Sequence, residues 1–335
     1  MQVGFFFWPY DPALTLRMAE HAERYGYDMV GIADTPGNAM DPWVAATLVA
    51  QATRTPRVAI CVTNIESRHP AVAAAAIASL DLIAPGRTVL GIGAGHSGTH
   101  NLGLRRSGVA DLADGARFIK TLLGGRPAAY RDGGTAHLPW VKQPSKLFLA
   151  ASGPKALAAA GAVADGAFVN FGLKRENLAQ SQAAVRDGAR AVGRDDAALE
   201  LWQIAALDCN ADGDAARRKI GAILAFMAAG YILGSGDLGE RGVPAELHAP
   251  LRELKRCYST RPGDADAALV AELGLFDYLA ERFAICGTPA ECRAQLLRAK
   301  AAGLERVMFT VSVASDPAAT VELFGKEVLP AIRSA

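Results

Sequence analysis

The chain of 335 residues is poor in cysteine and has no pair at C-x-x-C spacing. Its five thiols, Cys61, Cys209, Cys257, Cys286 and Cys292, are odd in number and scattered. That pattern excludes a disulfide framework and a thiolate zinc site, and reads as reduced thiols in a cytoplasmic protein. No run approaches the roughly 20 apolar residues of a membrane span. The start, MQVGFFFWPYDP, has neither the basic stretch nor the long apolar run of a secretory signal. Charge of one sign is not in excess either: 35 Lys and Arg face 34 Asp and Glu, a formal net charge of +1. Neither nucleic acid nor an anionic membrane is expected as a partner. There is no H-E-x-x-H, no paired Cys/His cluster, no G-x-S-x-G elbow and no Walker loop. With no metal ligands and no activated nucleophile, the chemistry falls to a bound organic cofactor.

What is present is a rhythm. Between Arg57 and Ser97 an apolar run, Val58 to Val62, breaks into the polar Thr63, Asn64, Glu66, Ser67, Arg68 and His69. Pro70 then opens an alanine-rich helix, Pro85-Gly86 stops it, and a second apolar run from Thr88 to Ile92 ends in Gly93-Ala94-Gly95-His96-Ser97. Strand, crossover helix and strand in this order predict a parallel pair. Both strands shed their polar residues at the carboxyl end, the ligand-binding end of parallel α/β folds.

The same unit recurs about every 25 to 30 residues, the spacing of successive βα units. Strands are predicted at 3–7, 29–32, 58–62, 88–92, 147–151, 167–169, 199–207 and 306–313. Asp11-Pro12 and Asp41-Pro42 supply helix caps with proline at the first helical position, and Thr288-Pro289-Ala290-Glu291 is a capping box. Eight strands that are apolar on both faces predict a (β/α)8 TIM barrel, with a doubly wound open sheet as the alternative. The chain reads as one domain, residues 1–335, with insertions at about 98–146 and 208–285. The second insertion, after strand seven, is too long for one crossover helix and reads as a lid or dimer surface over the barrel mouth. Its stretch from Tyr231 to Pro262 is irregular and rich in glycine and proline.

Ala150-Ala151-Ser152-Gly153-Pro154 is the strongest chemical signal. A strand ends, small residues follow and a helix begins, so free N–H groups can take a phosphate; the plain alternative is an ordinary tight turn. Asn170, just past strand six, can add a donor to the same phosphate. Gly93 and Gly95 let a flat ligand approach the backbone, though the turn lacks the third glycine and acidic partner of a dinucleotide fingerprint. His96 beside them reads as a proton donor, a substrate contact or polar lining. Asp34 ends strand two as a ligand contact or a cap. Thr63 and Asn64 end strand three, where an amide suits a planar heterocycle or merely secures a turn. Arg68, before a helix N-terminus, needs an anionic partner, with Glu66 or Asp34 at hand.

Four segments, GYDMVGIAD, CVTNIESRHPAVAAAAIASLDLIAPGRTVLGIGAG, ASGPKALAAAGAVADG and FAICGTPAECRAQLLRAKAAGLERV, resemble the luciferase-like superfamily of flavin- and deazaflavin-dependent oxidoreductases, in its methylenetetrahydromethanopterin-reductase-like branch. The resemblance covers about 1–205 and 280–330. It implies a (β/α)8 barrel with FMN or the deazaflavin coenzyme F-420 across the carboxyl ends of the strands. It also implies a non-prolyl cis peptide at Cys61-Val62 behind the ring, a phosphate held at Ala151, Ser152, Gly153 and Asn170, and Asp34 near the ring. Relatives acting on sugar phosphates carry His and Glu where this chain has Thr35 and His96, and a lysine where it has Leu173 with Lys174 adjacent. A sugar phosphate is therefore not expected. The implied function is hydride transfer to, or monooxygenation of, a small organic substrate, with His96 and Asp34 as candidate catalytic groups. A homodimer and a partner flavin reductase are expected with it. The alternative is a non-enzymatic flavin-binding or carrier protein.

Overall fold

The computed structural model describes residues 1–233, 237–259 and 262–334, so parts of the irregular stretch 231–262 lie outside the described residues. In chain order the first half reads β1 (Gln2–Phe7), α1 (Pro12–Tyr25), β2 (Met29–Ile32), α2 (Pro42–Ala52), β3 (Arg57–Asn64), α3 (Pro70–Ile83), β4 (Thr88–Gly93), α4 (Ser97–His100), α5 (Val109–Leu123), β5 (Ala128–Ala129), β6 (Thr135–Ala136), β7 (Lys146–Ala151) and α6 (Pro154–Val163). There follow β8 (Gly166–Val169), α7 (Arg175–Arg190), β9 (Glu200–Cys209), α8 (Gly213–Met227), a π-helical turn (Ala228–Ile232), α9 (His248–Cys257), α10 (Asp264–Glu272), α11 (Phe276–Phe283), β10 (Ala284–Gly287), α12 (Pro289–Ala301), β11 (Arg306–Thr310), α13 (Pro317–Glu327) and α14 (Leu329–Ser334).

Eight strands pair in parallel around a closed ring, β1-β2-β3-β4-β7-β8-β9-β11 and back to β1. The (β/α)8 barrel is therefore observed, and the open sheet is not. Alternate residues of each strand face opposite sides. Val58 and Ile60 pack outward against the helices, whereas Ala59 and Cys61 pack inward. The helix starts follow the sequence signals. Asp11 and Asp41 accept hydrogen bonds from the first-turn amides behind Pro12 and Pro42, and Thr288 and Glu291 form the reciprocal box.

One strand escaped the sequence reading. β10 is only four residues, AICG, and pairs with the far end of β9, from Ala284 opposite Ala206 to Gly287 opposite Cys209. It directly follows α11, with no glycine or proline to announce it. The first insertion contains α5, which packs between α3 and α6 as a barrel helix, and the short antiparallel β5-β6 hairpin. The second covers the barrel mouth. Its apolar side chains, among them Ile223, Leu224, Leu251, Leu279 and Phe283, join Phe148, Phe168, Trp202 and Met308 from the barrel interior in one cluster. At the opposite end Glu200 closes the floor between Arg57 at 2.6 Å and Lys146 at 3.2 Å. Among the described residues no helix is long and apolar enough to cross a membrane.

Candidate active site

A cavity of about 640 Å³ opens at the carboxyl ends of the strands, and each of the eight barrel strands or the turn after it contributes to its wall. Asp34, Cys61, Val62, Thr63, Asn64, Gly93, Gly95, His96, Ala151, Ser152, Gly153 and Asn170 all line it. The candidates read from separate turns are thus one site in space.

Its floor is backbone. The Cys61-Val62 peptide is cis, and the β3-β4 register shifts between Ile60 and Thr63, so this edge bulges toward the cavity. Gly91 lies against the bulge, where a Cβ atom would stand 2.5 Å from the Ile60 carbonyl oxygen and 2.8 Å from the Val62 side chain. Only glycine allows the two strands this approach. Burial pushes the Cys61 thiol far up, so it stays protonated and inert.

The polar edge is built from β2 and β3. Thr63 donates from Oγ1 to Oδ2 of Asp34 at 2.6 Å. Burial raises the Asp34 pKa, opposed by the Thr63 hydrogen bond and by Arg68. Asn64 accepts from the amides of Glu66 and Ser67 at 3.0 and 2.8 Å, so its oxygen secures the turn and its Nδ2 is the group left to offer. Arg68 finds neither expected partner. It pairs with Asp41 at 3.0 Å and lies over Trp43, because the turn after β3 leans onto the start of α2.

The turn from β7 into α6 is where an anion could be held. Both α5 and α6 begin at glycines, Gly108 and Gly153, that cap without a side chain; Gly153, Pro154, Lys155 and Ala156 of α6 line the cavity, and so do Val109 and Leu112 of α5. The first turn of α6 has no acidic residue and leaves its amides free, whereas the first turn of α5 carries Asp111. Lys155 lines the cavity beside this turn, and Arg106 lines it too, acting on His96, Tyr231 and Tyr258. Arg241, from the second insertion, is buried and donates to the Ser152 carbonyl at 3.0 Å and to that of Tyr231. Burial and the neighbouring Arg282 lower its pKa, opposed by Glu240. Asn170 gives Nδ2 to the Phe168 carbonyl at 3.4 Å, and its buried Oδ1 has no partner among the described residues. Leu173 is buried, and Lys174 pairs with Glu281 at 2.8 Å, so neither faces the cavity.

The roof is apolar: Trp8 after β1, Ile223, Phe226 and Met227 of α8, and Tyr231 of the π-helical turn. The sequence marked none of these, nor Arg241. Trp8 had a signal, since it ends a strand as Asp34 and Asn64 do. Arg241 had none, because its partner Ser152 lies 89 positions away. His96 sits at the edge of this roof with Nε2 2.8 Å from the Tyr258 hydroxyl.

A closed parallel barrel whose ligand-binding face opens into one cavity lined by glycines, polar strand ends and a helix start has the layout of an enzyme that works through a bound organic cofactor. The luciferase-like monooxygenase family matches residues 9–306, and the chain belongs to it. It is 29% identical over 343 aligned positions to 5,10-methylenetetrahydromethanopterin reductase of Methanolobus tindarius, covering 98% of this chain and 100% of that protein. Over 203 positions it is 31% identical to an F-420-dependent hydroxymycolic acid dehydrogenase of Mycobacterium tuberculosis, covering 54% and 55% of the two chains. The solved coenzyme F-420 dependent tetrahydromethanopterin reductase of Methanopyrus kandleri shares the fold, with a TM-score of 0.77, 24% identity and 99% of each chain covered. The protein is thus a luciferase-like oxidoreductase that uses FMN or coenzyme F-420 for hydride transfer to, or oxygenation of, a small substrate.

Proposed function

We propose that the coenzyme is F-420 and that the reaction is hydride transfer to or from a small, largely apolar substrate. The observation that carries this reading is the cavity's division into a flat floor, an anion end and an apolar roof. The preference for F-420 over FMN follows the names of the relatives, a reductase matched end to end and an F-420-dependent dehydrogenase.

The residues fit such a coenzyme. Cys61, Val62, Gly93 and Gly95 would lie against its ring, with Asp34, Thr63 and the Asn64 amide at the ring's polar edge. Ala151, Ser152 and Gly153, with the first amides of α6, would hold the phosphate. Asn170, expected as a donor to the phosphate, has its Nδ2 turned to the Phe168 carbonyl; the Oδ1 it leaves is an acceptor and would suit a hydroxyl of the ribityl chain. Bound there, the coenzyme supplies or accepts the hydride, and the protein contributes position and electrostatics. Burial raises the Asp34 pKa, against the Thr63 hydrogen bond and Arg68, so its carboxyl keeps its proton to higher pH than an exposed one. His96 and Asp34 are the candidate catalytic groups, and Trp8, Phe226 and Tyr231 keep water from them.

The same reading takes the chain as one barrel domain in a cytoplasmic homodimer. Exposed Val44, Val72, Leu82 and Ile83 on the outer sides of α2 and α3 support the dimer. A partner flavin reductase is required only if FMN is used.

Cofactor-free protein is titrated with F-420 and, separately, with FMN, followed by fluorescence. Tight binding of F-420 with weak binding of FMN is the expected result. The reverse would transfer the reading to an oxygen-using flavin enzyme, and binding of neither would overturn the site.

A further inference from the structure

The second insertion meets the barrel at one side chain. His96, on the turn after β4, has the edge of Phe226 at 4.6 Å between ring centroids and Tyr258 beside it at 6.0 Å with ring planes 6° apart. Gly230 covers the same ring: a Cβ atom there would stand 3.1 Å from Cε1 and 3.4 Å from either nitrogen. Phe226 ends α8, Gly230 lies in the π-helical turn and Tyr258 follows α9, so three parts of the insertion converge on a single imidazole.

The two ring nitrogens are held differently. Nε2 lies 2.8 Å from the Tyr258 hydroxyl. Nδ1 is sealed from water and has no partner among the described residues. The ring is neutral at ordinary pH, because burial, helped by Arg106 and His100, pushes its pKa down to about 4. Burial also raises the Tyr258 pKa, against Arg106, so the phenol keeps its proton. Arg106, His100 and Tyr258 are the charged or titratable groups that act on the ring.

A neutral imidazole carries one proton, and its place is decided by the partners. On Nδ1 it would be a buried N–H with no acceptor, the rarest kind of unpaired group in folded proteins. On Nε2 it is donated to the phenol oxygen, and the phenol's own proton turns to the water that half-buried Tyr258 can reach. Nδ1 is then a bare lone pair at the edge of an apolar roof.

We infer that Tyr258 is a positioning residue that fixes His96 in the Nε2–H tautomer, with Nδ1 a bare acceptor enclosed by the second insertion. The tautomer does not rest on the proposed hydride chemistry.

Histidine-selective 15N labelling with long-range 1H–15N correlation on the whole protein reads the tautomer directly, His96 being assigned from the His96→Gln variant. The wild type should show His96 with its proton on Nε2 alone, and a folded Tyr258→Phe variant should show a mixture of tautomers. An Nδ1–H form in the wild type, or an unchanged ring in Tyr258→Phe, overturns the assignment. Neither outcome depends on which coenzyme binds.

Discussion

Ser152→Asp isolates charge from shape at the anion end of the cavity. The Ser152 side chain makes no hydrogen bond among the described residues, and only its carbonyl is engaged, by Arg241 at 3.0 Å. The fold therefore loses little when the side chain changes. A new carboxylate about 5 Å from a bound phosphate repels it by about 3 kcal/mol per unit charge at an effective dielectric constant near 20. Arg241 and Lys155 stand close enough to offset part of this. A net loss of about 2 to 3 kcal/mol remains, roughly 30- to 150-fold in Kd. Ser152→Asn has nearly the same shape without the charge, and should stay within about threefold of wild type, less than 1 kcal/mol. Fluorescence titration of both variants with F-420 and FMN at low and high salt is the assay, and the Asp penalty should shrink with salt. Equal losses in Asp and Asn would mean that shape alone sets the site. An unchanged Kd in Ser152→Asp would place the phosphate elsewhere and refute the argument from the start of α6.

Gly91→Ala would set a methyl group 2.5 Å from the Ile60 carbonyl oxygen, a backbone atom that cannot step aside. Overpacking of this kind costs about 1–3 kcal/mol and should lower Tm by several degrees in calorimetry, together with coenzyme affinity; an unchanged Tm would show that the bulge yields. Glu200→Gln removes the anion between Arg57 and Lys146, whose side chains hold Glu200 at 19% exposure. Burial alone would raise the Glu200 pKa, but Arg57 and Lys146 outweigh it and the net shift is downward. The pair therefore stabilises the fold above the ordinary glutamate pKa, and its contribution is lost as pH falls through the lower native value. The variant should be less stable by about 2 kcal/mol at neutral pH, between an exposed and a buried pair, with the gap closing in acid. A gap independent of pH in denaturant melts would show that packing, not charge, is the cause.

The barrel was legible because each βα unit advertises itself locally. Asp11-Pro12, Asp41-Pro42 and Thr288 to Glu291 start helices through side-chain hydrogen bonds that span three residues or fewer. The candidate residues were legible for a related reason: polar residues at strand ends share a face once the strands are parallel. What lay beyond reach was long-range pairing. Arg241 finds Ser152, and Tyr258 finds His96 from 162 positions away, inside an insertion with no periodicity of its own. Arg68 shows the same limit at shorter range. Glu66 and Asp34 were nearest in argument, but the packing of α2 placed Asp41 closer. The four residues of β10 were hidden because they follow α11 directly with no turn residue between, and their pairing with the end of β9 joins segments as far apart in sequence as Ala206 and Ala284.

The apolar cluster that runs from Trp202 and Phe168 inside the barrel into Leu224, Leu251 and Phe283 above it bears on how this protein can be re-engineered. A cap that met its barrel across a wet seam would be interchangeable, and substrate range could be altered by grafting a relative's segment between β9 and β10. Here the donor segment would arrive with half of someone else's jigsaw. Transplants that keep the recipient's Trp202 and Ile204 but import foreign partners should misfold more often than transplants that carry the inward residues of β8 and β9 along. Diversification by point changes at Phe226, Met227 and Tyr231, which face the cavity, leaves that shared interior intact and is the more accessible path.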